Sequence, residues 1–120
     1  MPSFAGSLPP LTPRTMGTGG ITDPSNPEHV AIARLAMDAG VWLHVADYGG
    51  GVYAVLKRAF ADDPAHVPPC IVKIDGTSAR GLRDSVEDCL RRTGLERIAV
   101  GQVCGYPLCA EPEALAEALG

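Results

Sequence analysis

The sequence predicts an α/β fold built from parallel βα units, four strands and four helices in all. Three observations predict it. Short, apolar, β-branched stretches alternate strictly with amphipathic ones along the whole chain, which is the pattern of strands joined by crossover helices. The strands read as near-continuous apolar runs, as strands covered on both faces do. Finally, 120 residues with 46% hydrophobic and 20% charged side chains suffice for one domain with a real core. A complete (β/α)8 barrel is excluded at this length, because it needs roughly 250 residues.

The elements follow in order. Residues 1–13 hold four prolines and little periodicity and read as an irregular arm. A short apolar stretch then ends in Met16-Gly17-Thr18-Gly19-Gly20, where glycines permit a sharp turn or a close approach to a ligand. Asn26-Pro27-Glu28 starts a helix: Asn26 caps it, Pro27 suits its first position and Glu28 complements its dipole. Its predicted buried stripe is Ile32, Leu35, Ala36 and Ala39, and Gly40 ends it.

Val41 to Ala46 reads as a buried strand, broken by Gly49-Gly50-Gly51. Val52, Val55, Leu56, Ala59 and Phe60 mark the second helix. A proline-bearing loop from Asp62 to Pro69 leads to the strand Cys70 to Ile74. Thr77 or Ser78 caps the third helix, with a stripe of Leu82, Val86, Cys89 and Leu90 and an end at Gly94. Arg97 to Val103 is the fourth strand, and Glu111 to Leu119 the fourth helix. The helix centres, near residues 33, 56, 86 and 115, are spaced by about one βα unit. The spacing fits half a barrel or a small doubly wound sheet.

Charge and composition narrow the class. The net charge is −4, from 10 basic and 14 acidic residues, which argues against nucleic acid or an anionic membrane as the main partner. No apolar run reaches the ~18 residues that cross a bilayer. The first residues have neither a basic nor an apolar leader region, so a cytoplasmic location is expected. Cys70, Cys89, Cys104 and Cys109 show no CxxC or CxxH spacing, so reduced thiols and no metal are expected.

Ligands of parallel α/β folds gather at the carboxyl ends of the strands. Gly17-Thr18, His44 to Gly49, Lys73 and Gln102 to Gly105 fall there. Lys73 is one of only two lysines, against eight arginines. A lysine in an apolar strand either snorkels into water or is compensated by a neighbour. Beside a tyrosine it favours the phenolate and makes that tyrosine a competent general acid. Tyr48 is a candidate for that acid or a packed loop residue. His44 is a candidate catalyst or a core histidine; Asp47 a carboxylate or a strand terminator; Cys104 a site residue or a small buried one. Gly17 and Thr18 can border a nucleotide, although GTGG lacks the full GxGxxG. Arg80, Arg83, Arg91 and Arg92 read as a solvated helix face with Asp84, Glu87 and Asp88.

In this order, these residues resemble the N-terminal half of the aldo-keto reductases. Met16-Gly17-Thr18-Gly19 looks like the family's first-strand G-x-G-T element, and Ala36-Met37-Asp38-Ala39-Gly40 like its helix end. His44-Val45-Ala46-Asp47-Tyr48-Gly49 resembles its D-T-A-x-x-Y-G segment, and Leu56 to Phe60 the helix that follows. Ile71-Val72-Lys73 is similar to its strand ending in T-K. Leu82, Ser85, Leu90 and Gly94-Leu95 fall where the family has l-x-x-S-L-x-x-L-g-l. Arg97 to Cys104 is similar to y-i-D-l-y-q-x-H. The resemblance runs from about residue 12 to 107.

The resemblance implies four βα units, half of a TIM (β/α)8 barrel, across residues 1–120. It implies reduction of a small-molecule carbonyl substrate with NADP(H). Tyr48 matches the family's acid and Lys73 its activating lysine. His44 stands where the carboxylate belongs, with Asp47 as a substitute, and Cys104 where the histidine belongs. Gly17 and Thr18 match part of the cofactor site, and the remainder belongs to later strands of the family. The expectation is therefore a truncated aldo-keto-reductase-like chain, weakly active alone. The alternative is a non-catalytic module that completes its barrel as a homodimer or with a missing C-terminal half.

Overall fold

The computed structural model describes residues 8–47, 50–103, 113 and 116. Its elements are β1 (Thr15–Gly17), α1 (Pro27–Ala39), β2 (Trp42–Val45), α2 (Val52–Asp62), a 3-10 turn at Pro64–His66, β3 (Cys70–Ile74), α3 (Ala79–Thr93) and β4 (Val100–Val103). Of the predicted fourth helix, 111–119, only residues 113 and 116 are described, both helical, and residues 1–7 of the arm lie outside the described residues.

Local chemistry sets the helix boundaries. The Asn26 side chain accepts from the Glu28 amide at the start of α1, and Ser78 accepts from the Gly81 amide at the start of α3. Gly40 and Gly94 close these two helices at φ 70° and 78°, a conformation that disfavours a side chain. The start of α2 has no side-chain cap of its own on Gly51. A Cβ on Gly51 would collide with the Thr22 carbonyl, so this glycine lets the β1–α1 loop lie directly on the α2 terminus.

The strands form one parallel sheet in the order β1-β2-β3-β4. Each strand therefore lies beside its predecessor, and the sheet has no point at which strand order reverses. Doubly wound folds need that reversal, so the described strands do not have that topology. Residues of α1 pack on α2, and those of α2 on α3.

Side chains alternate across the sheet. Leu43 and Val45 of β2 and Cys70 and Val72 of β3 are fully buried, in one cluster with Ala33, Met37, Val55, Leu56 and Ala59 of the helices. This is the core, lying between the sheet and one helix layer. The opposite face carries Thr15, Gly17, Trp42, His44, Ile71, Lys73, Val100 and Gln102, as the strand registers require. At its lower end Trp42 is covered by the arm: its indole N–H donates to the Pro10 carbonyl and its backbone N–H to the Thr12 hydroxyl, each at 3.2 Å.

One helix face differs from the expected one. The predicted α1 stripe included Ile32 and Leu35, yet these are 42% and 68% exposed. The buried residues are Val30, Ala33, Ala36 and Met37. Glu28, His29, Arg34 and Asp38 are spread round α1 and leave no single apolar stripe, so periodicity alone admits two faces. Ala33 and Ala36 share the core cluster with Leu43 and Val45 of the sheet. In α2 the predicted stripe is buried throughout and Tyr53 joins it. β4 is shorter than the predicted strand and begins at Val100.

Candidate functional site

The polar residues of the sheet face opposite the helices meet at the carboxyl ends of the strands. His44 and Gln102 stand on β2 and β4, with β3 between them, so their backbones are roughly 10 Å apart. Even so, His44 Nε2 lies 2.8 Å from Gln102 Oε1. Two side chains separated by a whole strand touch only if both lean over the same face. Lys73 is the register partner of Gln102 and shares that face. His44, Lys73 and Gln102 thus form one polar row above Ile71.

Gly17 is the register partner of His44. A Cβ built on Gly17 would meet no atom within 4 Å, so the glycine leaves open space beside the imidazole. Thr18 differs. It is 1% exposed, and its hydroxyl and backbone N–H both donate to the His44 carbonyl, at 3.0 and 3.2 Å. Thr18 therefore ties β1 to β2, and its hydroxyl proton is committed there. Of the two predicted cofactor contacts, Gly17 has the space to border a flat ring, and Thr18 fixes the strand that carries it.

Asp47 turns the other way, into the helix layer. Its side chain is 2% exposed, and both oxygens are engaged. Oδ1 accepts from the Val52 amide at the start of α2 (3.2 Å), and Oδ2 pairs with Arg92 at 2.8 Å. Asp47 thus supplies the cap that Gly51 cannot. Arg92 in turn bonds Asp88 at 3.2 Å and lies 5.0 Å above the centre of the Tyr53 ring. Its hydrogen bond to Asp88, followed by the Asp47 charge, pushes the Arg92 guanidinium further up. The predicted solvated arginine face therefore holds for Arg91, which is exposed and pairs with Asp88. Arg92 has a bridging role instead.

Burial dominates the remaining titratable groups of this layer. Desolvation, then the neighbouring Cys89, pushes the Tyr53 hydroxyl well above its usual range. Burial pushes the Cys70 thiol up to about 12 and raises Cys89 as well. Both thiols are free. They behave as small apolar residues rather than nucleophiles.

Tyr48 and Cys104 lie outside the described residues. Of the other predicted site residues, the fold brings His44, Lys73 and Gly17 together and separates Asp47 from them. Two participants were not singled out by sequence as site residues. Gln102 sits in a motif that the sequence marked, but only the sheet register pairs it with His44. Arg92 was marked only for its helix face with Asp88, because its other partner, Asp47, is 45 residues away.

A separate cleft of about 590 Å³ opens where the strands begin, walled by Leu8, Phe60, Val67, Pro69 and Leu95. It has none of the polar row in its lining. Among the described residues no group of three His, Cys, Asp or Glu side chains is placed to hold a metal. No described helix is long and apolar enough to cross a membrane. No family model and no curated protein matches the chain.

Proposed function

We propose that this chain is four of the eight βα units of an aldo-keto-reductase-like barrel, and that its polar row belongs to an NADP-dependent carbonyl reductase site. The observation that carries the reading is the contact between His44 and Gln102 over β3. It is what a sheet curving toward a barrel axis produces, and it lies at the strand ends where barrels hold their ligands. The sequential strand order supports the same reading.

In this reading Tyr48 protonates the carbonyl oxygen as the carbon is reduced. Lys73, as a cation near the phenol, stabilises the phenolate left behind and so lowers the cost of that transfer. NADPH supplies the hydride when it is bound. The open space at Gly17 would admit part of that cofactor, and four further strands would hold the rest. His44 stands in place of a carboxylate and bonds Gln102.

NADPH oxidation in the presence of small aldehydes and ketones is the test. Turnover that Tyr48→Phe and Lys73→Met both abolish, in folded variants, supports the reading. Turnover indifferent to both substitutions overturns it.

A second reading has its own observation. β1 and β4 are the edges of the described sheet; Val100 of β4 is an exposed apolar residue, as are Ile32 and Leu35 of α1. A non-catalytic module that pairs with a second copy would cover them and supply eight strands. Light scattering separates the two: a monomer at high concentration, with no binding of an apolar dye, removes the pairing reading.

A further inference from the structure

The cleft where the strands begin has an apolar floor and a charged rim. Its volume, about 590 Å³, lies within the roughly 300–1,000 Å³ of small-molecule pockets. Phe60 of α2 and Leu95 are buried in its floor beside Val67. Little of that floor is left to bond a ligand. Pro64, Pro68 and Pro69 have no N–H. The Pro68 carbonyl accepts from the Cys70 thiol at 3.4 Å, and the Pro69 carbonyl from the Leu43 amide at 3.2 Å. The Thr93 hydroxyl donates to the Cys89 carbonyl at 2.7 Å and accepts from the Leu95 amide at 3.2 Å. The floor therefore offers apolar surface, and direction has to come from the rim.

Among the described residues the charged ones at the cleft are Lys57, Glu96 and Arg97. Arg97 has a partner of its own. Lys57 and Glu96 are exposed and of opposite sign, and neither side chain has a hydrogen bond or an ion pair, with the other or with any residue. The charges round about are paired outside the lining: Arg34 with Asp62, His66 with Asp63, Arg91 with Asp88, and Arg92 with Asp88 and Asp47. From the two unpaired charges of opposite sign over an apolar floor, we propose that the cleft binds a free α-amino acid with a large apolar side chain. Its carboxylate meets Lys57. Its ammonium meets Glu96 and the negative end of α3, which closes at Gly94 in the same lining. Its side chain covers Phe60 and Leu95. A ligand with one charge leaves one rim residue unmatched. The site lies at the opposite ends of the strands from the polar row, away from where parallel barrels do their chemistry, so it binds rather than catalyses. It does not rest on the reductase reading.

Calorimetric titration of the whole chain tests the site. The probes are L-phenylalanine, N-acetyl-L-phenylalanine, L-phenylalaninamide and glycine. Phenylalanine is expected to bind saturably. The acetylated compound lacks the ammonium and the amide lacks the carboxylate, so each is expected to bind about tenfold more weakly. Glycine, without a side chain to cover the floor, is expected to show no measurable binding. Lys57→Met is expected to weaken phenylalanine about tenfold and to leave phenylalaninamide unchanged. Glu96→Gln is expected to weaken phenylalanine by a similar factor and to leave N-acetylphenylalanine unchanged. Both positions are exposed, so the fold is expected to survive, and melting curves check it; Lys57→Gln and Glu96→Ala serve if a first variant does not fold. No saturable binding of phenylalanine, equal affinity for the three phenyl compounds, or folded variants that bind phenylalanine as the parent does would overturn the proposal. Tighter binding of the acetylated compound or of the amide than of phenylalanine points to a peptide end as the occupant and overturns it as well. None of these readouts uses NADPH, so the site and the reductase reading stand or fall separately.

Discussion

His44 Nε2 and Gln102 Oε1 lie 2.8 Å apart across the full width of strand β3. The bond does two things at once. It joins the second and fourth strands over the sheet face opposite the helices, and it sets an acceptor oxygen against one imidazole nitrogen. An amide oxygen accepts only, so Nε2 must donate to it. Nδ1 is then left as the acceptor of a neutral His44.

The first prediction follows from that tautomer. Nitrogen chemical shifts of the His44 ring at pH 8 should show a protonated Nε2 and an unprotonated Nδ1. Gln102→Leu should return the ring to a mixture of tautomers. A protonated Nδ1 in the parent chain would mean that the Gln102 amide is turned round and donates through its NH2.

The Asp47–Arg92 pair gives the second. Arg92→Ala leaves a carboxylate with 2% exposure bonded only to the Val52 amide. Removing one partner of a buried pair costs about 3–5 kcal/mol. Arg92 is 42% exposed, so solvent screens part of that, and about 2 kcal/mol is expected. Urea unfolding measures it. Asp47→Asn keeps an oxygen for the Val52 amide and should cost less than Asp47→Ala.

A third concerns the core. Leu56→Ala, at a fully buried position of α2, should cost about 2–5 kcal/mol through lost burial and the cavity left behind. Leu35→Ala, at 68% exposure on α1, should change stability by no more than about 0.5 kcal/mol. The reverse ranking would show that α1 buries the face predicted from periodicity.

The buried thiols and phenol set a pH dependence. Cys70 is raised from 9.0 to about 12, and Cys89 and Tyr53 move in the same direction, all chiefly through burial. Between pH 9 and 12 the unfolded chain loses the Cys70 proton while the folded chain keeps it. The unfolded state then binds fewer protons, so stability falls as pH rises. Full stability from this source is present below pH 9 and is lost toward pH 12. Urea midpoints from pH 7 to pH 11 should therefore decline, and Cys70→Ala should flatten the decline. Both thiols should also resist a thiol reagent in the native chain and react after unfolding.

Gly51 provides the last prediction. Gly51→Ala places a methyl group against the Thr22 carbonyl, a backbone atom that cannot swing aside. The variant should melt well below the parent, whereas Gly19→Ala, where a Cβ meets nothing within 4 Å, should melt close to it.

What the sequence determined by itself is local. Asn26-Pro27, Gly40, Ser78 and Gly94 fix helix ends because a cap depends on a few adjacent residues and their backbone angles. Cys70 to Ile74 is legible as a strand because four of its five residues are apolar or β-branched and two prolines precede it. Lys73, His44 and Gly17 stand out because polar residues and glycine at strand ends break an apolar pattern. Tertiary structure alone decided the rest. Which side of α1 is buried depends on where its neighbours lie, since an alanine-rich helix with polar residues on several sides permits more than one answer. Whether Asp47 faces the polar row or the helices depends on Arg92, which folding brings from 45 residues away. Gln102 reaches His44 only because the strands lie in sequential, parallel register and both side chains lean over one face. Such contacts join groups that are far apart in the chain, and no local propensity encodes them.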